Sequence, residues 1–125
     1  MYRISVEMGF SAAHQLVGYE GACENLHGHN WTVKVEVKTT KLDSLGMGLD
    51  FKKLKKLLGG VLEQFDHRMI NQVAPFDQFN PTAENMAHFI FDALKSRLPK
   101  DVSMSRVKVS ESPQCSVIYQ EDSAE

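Results

Sequence analysis

The chain has 125 residues, 42% of them apolar and 24% charged, and a formal net charge of -2 at pH 7. Those values predict one globular domain over residues 1–125, too short for two domains of ordinary size and long enough to bury a core without disulfides. Interspersed charges of both signs argue against a nucleic-acid or anionic-membrane surface, and no apolar run approaches the roughly 20 residues of a membrane span.

The N-terminal residues alternate where a signal peptide would be continuously apolar, so the expected compartment is the cytoplasm. The two cysteines, Cys23 and Cys115, are too few for a disulfide scaffold and suit a reducing environment.

Tyr2, Ile4, Val6, Met8 and Phe10 alternate with polar or small residues, the period-2 pattern of a strand with one buried face. Trp31, Val33, Val35 and Val37 repeat it, here with the odd positions facing the core. From Phe51 the period lengthens to that of a helix, with Leu54, Leu57, Leu58, Val61, Leu62 and Phe65 on one stripe and Asp50 placed to cap it. Gly59-Gly60 inside this helix predicts a kink or a close neighbour. Met86, Phe89, Ile90, Ala93, Leu94 and Leu98 mark a second helix, with Asn80-Pro81-Thr82 supplying a cap and a proline in its first turn, and Pro99 stopping it. Val107 and Val109, then Val117 and Tyr119, predict two closing strands, followed by a polar tail, Gln120–Glu125, expected to fray. The fold class is therefore α+β: a four-stranded antiparallel sheet in ββααββ order with two helices packed on one face. Such a sheet keeps two edges, which oligomerisation would cover.

His27 and His29 share the parity of Trp31, and His14 continues the even series of the first strand. If the two strands pair as a hairpin, all three imidazoles project from one face at one end of the sheet. A lone histidine there is more often a satisfied core or surface residue, but three converging ones suit Zn²⁺ with one open coordination position. Cys23, four residues before His27 in the loop Gly18–Leu26, either closes a Cys-His₃ structural site or remains a thiolate base beside the metal. Cys115, between strand-like residues, reads as a packing residue. Asp66-His67, after the first helix, is either a solvated helix terminus or an acid/base pair whose carboxylate fixes the imidazole tautomer. Glu111 continues the apolar parity of Val107 and Val109, where a carboxylate needs a partner; a flat heterocycle edge with two N–H donors would supply one.

These segments together resemble the 6-pyruvoyltetrahydropterin synthase family. The matching pieces are Phe10–His14, Cys23–Asn30, Gly46–Phe51, Phe65–Asn71, Asn80–Asn85 and Glu111–Pro113, spread over nearly the whole chain in family order. The resemblance implies the tunnelling fold, whose subunits join edge to edge into trimeric barrels that stack as a hexamer. It implies that His14, His27 and His29 hold Zn²⁺, that Cys23 abstracts a proton, that Asp66 and His67 form a second acid/base unit reaching a neighbouring subunit's site, and that Glu111 anchors a pterin. The C-x₃-H-G-H spacing around Cys23 resembles the queuosine-pathway branch, whereas tetrahydrobiopterin-pathway members resemble C-x₅-H-G-H. That branch implies a zinc-dependent lyase turning 7,8-dihydroneopterin triphosphate into 6-carboxy-5,6,7,8-tetrahydropterin, acetaldehyde and triphosphate. The alternatives are an enzyme stopping at 6-pyruvoyltetrahydropterin, and a non-catalytic assembly module in which Cys23 is a fourth zinc ligand. Gly48 and Gln114 depart from the family's usual residues.

Overall fold

Alternation at two stretches of the chain builds two long strands, β1 (Tyr2–His14) and β2 (His27–Thr39), paired antiparallel from Tyr2↔Thr39 to His14↔His27. The computed structural model describes residues 1–18 and 27–121, His27 by its backbone alone. Strands β3 (Ser103–Ser112) and β4 (Cys115–Tyr119) complete an antiparallel sheet in the order β1-β2-β3-β4. Helices α1 (Phe51–Leu62) and α2 (Ala83–Lys95) lie between β2 and β3 in the chain, with a short 3-10 turn at Ile70–Gln72. The α+β class and the ββααββ order read from periodicity are those observed. Among the described residues, no helix is long and apolar enough to cross a membrane.

The even positions of β1 and the odd positions of β2 and β3 form the buried face. Phe10, Trp31, Val33, Val35, Val37, Val107 and Val109 are all buried there, against Leu54, Leu58, Met86, Ile90 and Leu94 of the helices. Helix α1 covers β1, and α2 covers β3 and β4. Asp50 caps α1 through its side chain, which accepts a hydrogen bond from the Lys52 amide at 2.9 Å.

Several local expectations are revised. Helix α1 runs through Gly59-Gly60 without a break, and no close neighbour requires either glycine: a Cβ at Gly59 would meet Met8 at an ordinary 3.5 Å, and one at Gly60 would meet nothing. Gly48 is the tighter position: a Cβ there would lie 2.6 Å from Thr39 Cγ2 and 2.9 Å from Ile4 Cδ1, so a larger residue would force those side chains to move. Thr82 is the N-cap of α2, so Pro81 stands before the cap rather than in the first turn. The helix also ends at Lys95, short of Pro99. Cys115 is exposed at the start of an edge strand rather than packed. At the tail, Glu121 is tied to Lys95 at 3.2 Å and to the Tyr119 hydroxyl at 2.8 Å, while residues 122–125 lie outside the described ones. These contacts push the Tyr119 hydroxyl up to about 12, the bond to Glu121 being the main cause.

Candidate metal centre and adjoining cleft

The last residue of β1 is His14, and its ring is almost wholly buried, 1% exposed. Its Nδ1 lies 2.9 Å from the carbonyl oxygen of Pro81. A carbonyl only accepts, so Nδ1 carries the proton in that bond and Nε2 presents its lone pair, the arrangement typical of a metal-binding histidine and its outer-shell partner. Across the hairpin, His29 lies on the same face, its ring centroid 5.1 Å from that of His14. Trp31 packs edge-on against both rings, at 4.9 and 5.6 Å, and donates its indole N–H to the Ala12 carbonyl at 3.3 Å. The imidazoles are thus held by an aromatic wall that belongs to the core.

Glu111 reaches the same point from β3. Ser110 pairs with Ser116 and Ser112 with Cys115, so two steps on β3 oppose one on β4 and Glu111 is the extra residue of a bulge. Its Oε1 lies 3.9 Å from His14 Nε2 and its Oε2 lies 3.9 Å from His29 Nε2. One ligand atom from each of His14, His29 and Glu111 lies within 4.8 Å of the others. Two imidazole nitrogens and a carboxylate form a donor set that suits Zn²⁺ or another divalent transition metal. His14 is sealed, whereas the side chains of His29 and Glu111 are 23% and 32% exposed, so the centre opens on their side.

The structure therefore brings together His14, His29 and Glu111. The backbone of His27 stands opposite His14 with the parity of His29, and its side chain lies outside the description. Cys23 also lies outside the described residues.

Asp66 and His67 occupy a different place, the outer edge of β1. The Asp66 carboxylate accepts the Ser11 amide at 3.0 Å, the His67 amide donates to the Ser11 carbonyl, and the Ala13 amide donates to the Arg68 carbonyl at 3.0 Å. Ala13 and Met69 form a parallel bridge, so this segment covers the far half of the β1 edge. His67 adopts a φ of 58°, a left-handed conformation that turns the chain onto the strand. The Asp66 Oδ1 also meets His67 Nδ1 at 3.0 Å, while the imidazole is 81% exposed. The Ser11 amide holds the Asp66 carboxyl below its ordinary range; partial desolvation opposes this, and the charge of His67 reinforces it. The carboxylate anchored by Ser11 thus lies beside an imidazole that faces solvent. His67 and Arg68 line an open cleft of about 390 Å³ with Ser11–Ala13 and Gly28–Asn30.

The Pro81 carbonyl escaped the sequence reading, in which the Asn80-Pro81-Thr82 string stands as a helix start. A second group, His88, Asp92 and Glu121, also comes within 4.8 Å on the surface of α2 and β4. Its Glu121 oxygens are already engaged by Lys95 and Tyr119.

The family model described as 6-pyruvoyl tetrahydropterin synthase matches residues 3–122. A Haemophilus influenzae protein named 6-carboxy-5,6,7,8-tetrahydropterin synthase is 34% identical, over 97% of this chain and 100% of the relative. A Pyrococcus furiosus protein named dihydroneopterin monophosphate aldolase is 37% identical, over 87% of this chain and 89% of its own length. Among solved structures, Caenorhabditis elegans 6-pyruvoyl tetrahydropterin synthase superposes with a TM-score of 0.81 at 31% identity, covering 98% of each chain.

Proposed function

The chain belongs to the 6-pyruvoyl tetrahydropterin synthase family, and from that premise we propose that it is a zinc-dependent lyase acting on 7,8-dihydroneopterin triphosphate. Its products would be 6-carboxy-5,6,7,8-tetrahydropterin, acetaldehyde and triphosphate, with one water consumed. The nine carbons of the pterin substrate divide into seven in the carboxypterin and two in the aldehyde; the reduced ring and the oxidised side chain make the step redox-neutral. The observation that carries the reading is the convergence of His14 and His29, with Glu111 beside them and His14 Nδ1 tied to a backbone carbonyl, in this family's chain.

His14, His27 and His29 would hold the metal. When bound, it supplies Lewis-acid polarisation of the substrate's side-chain oxygens and makes the adjacent C–H bonds more acidic. Glu111 accepts two N–H donors from the edge of the pterin ring, which places the ring's side chain beside the histidines. Cys23 removes a side-chain proton as thiolate, and His67, oriented by Asp66, carries a proton at the second site. The exposure of His67 supports its serving a neighbouring subunit's site rather than its own. Among the described residues the outer edges of β4 and of the first half of β1 have no strand partner, which supports a homo-oligomer closed edge to edge, with a hexamer of two stacked trimers as the expected form. The enzyme would work in the cytoplasm and supply the pterin precursor for queuosine in tRNA.

The test is mass spectrometry of products from zinc-loaded protein and 7,8-dihydroneopterin triphosphate, with an assay for acetaldehyde. The carboxypterin together with acetaldehyde is the expected result. A pyruvoyl product without acetaldehyde would assign the shorter reaction, and turnover of the monophosphate alone would favour an aldolase like the Pyrococcus relative. Untouched substrate would leave a zinc-stabilised assembly module. Cys23→Ala separates that last case, since an enzyme keeps its metal and loses turnover whereas a structural site loses metal. Glu111→Ala should weaken substrate binding with zinc content unchanged; loss of zinc would make Glu111 a ligand instead.

A further inference from the structure

The carbonyl that orients His14 belongs to a segment anchored on both sides by side-chain amides. Asn80 pairs with Val17 through two hydrogen bonds: its Oδ1 accepts the Val17 amide at 2.9 Å, and its Nδ2 donates to the Val17 carbonyl at 2.9 Å. Asn71 does the same with Gln15, both bonds at 2.8 Å. Each asparagine thus acts as one rung of a ladder along the chain leaving β1, since an amide offers a donor and an acceptor on one planar group. Behind Asn80, the Asn85 side chain donates to the Asn80 carbonyl at 2.8 Å, and the Asn85 amide donates to the Thr82 hydroxyl at 3.1 Å. Pro81 stands between these two anchored neighbours, with its own φ restricted by its ring.

We propose that Asn80, held from behind by Asn85, is a positioning residue for the metal centre: it fixes the Pro81 carbonyl against His14 Nδ1 and so determines which nitrogen His14 presents to a metal. The inference rests on the metal-binding reading of His14 given above. If the Asn80 clamp is released, the carbonyl drifts from Nδ1, the Nε2–H tautomer gains population, and the lone pair turns away from His29 and Glu111. A helix-capping role alone would lower stability and leave the tautomer untouched.

The experiment uses the full chain as purified and then stripped of metal with a chelator. Long-range ¹H–¹⁵N spectra of histidine-labelled, metal-free protein report the His14 tautomer, and competition with a chromophoric chelator reports zinc affinity. In the wild type, Nδ1 carries the proton. Asn80→Ala and Asn85→Ala should each give mixed tautomers and zinc binding weakened roughly 10- to 100-fold, the range seen when outer-shell partners of metal ligands are removed. Asn71→Ala, which removes the two bonds to Gln15 but leaves residues 80–82 anchored, should keep the wild-type tautomer. Asn85→Ala retains both Val17 bonds, so it carries the test if Asn80→Ala fails to fold. Folded variants with the wild-type tautomer and wild-type zinc affinity would overturn the proposal. Wild-type protein that binds no zinc would instead overturn the metal reading, and the tautomer spectra, taken without metal, would still decide the role of Asn80.

Discussion

Strands β1 and β2 present one continuous alternating face, and its two ends are used in opposite ways. At the end near Tyr2 and Thr39, the face carries Ile4, Val35 and Val37, and the loop bearing Gly48 closes on it so tightly that a methyl group would collide with Thr39 and Ile4. At the other end the same positions carry His14 and His29, and the packing stops against Trp31. Burial drives the first end, since each apolar side chain removed from water contributes on the order of 1.5–3 kcal/mol. It works against the second, because a buried imidazole must keep its hydrogen bonds, which His14 does through Pro81. Under the proposed function, the polar groups at that end serve a metal centre, and the rest of the face supplies the stability that permits them.

The largest break in this comparison comes from His14→Leu, which restores the apolar pattern at the functional end. It should abolish zinc binding and turnover while the metal-free protein keeps its fold, as read by zinc content and far-UV circular dichroism; retained zinc would remove His14 from the centre. The mirror change is Leu58→Ala, at a fully buried position. It should cost about 2–5 kcal/mol in denaturant melts and leave zinc affinity unchanged. At the closed end, Gly48→Val should destabilise by about 1–3 kcal/mol, because Thr39 and Ile4 must move to admit it. By contrast, Gly60→Ala lies in open space within α1 and should stabilise by about 1 kcal/mol; a loss there would mean that the outer face of α1 is covered in the assembled protein.

The smallest effect concerns Asp66. Its folded pKa lies below the unfolded one, so its contribution to stability is present above the usual aspartate range and is lost as pH falls through the folded value. The Tm difference between wild type and Asp66→Asn should therefore be largest near neutrality and shrink as the pH drops below that range. A difference independent of pH would assign the effect to the shape of the Ser11 contact rather than to charge.

Much of the fold was legible because its causes are local and periodic. Alternation at Val6, Phe10, Trp31 and Val33 specifies strands and their inner faces, and the stripe from Leu54 to Leu62 with Asp50 before it specifies a capped helix. The same parity placed His14, His29 and Glu111 on one face; it predicts His27 there too, whose side chain lies outside the described residues. Glycine positions were harder: Gly59-Gly60 looked demanding and is not, while the constraint at Gly48 comes from atoms of Thr39 and Ile4 brought in by the fold.

By itself, then, the sequence determined the class of fold, the faces of its strands and the donor atoms available for a metal, because side-chain chemistry and period are properties of the local chain. Only the tertiary structure decided that Glu111 enters the centre on a bulge, that Asp66 bonds to Ser11 on the β1 edge, and that Asn80 and Pro81 stand over His14. Those contacts join residues 55 to 67 apart in the chain or depend on how one strand slips against another. A single hydrogen bond made across that distance leaves no periodic trace in the residues that form it.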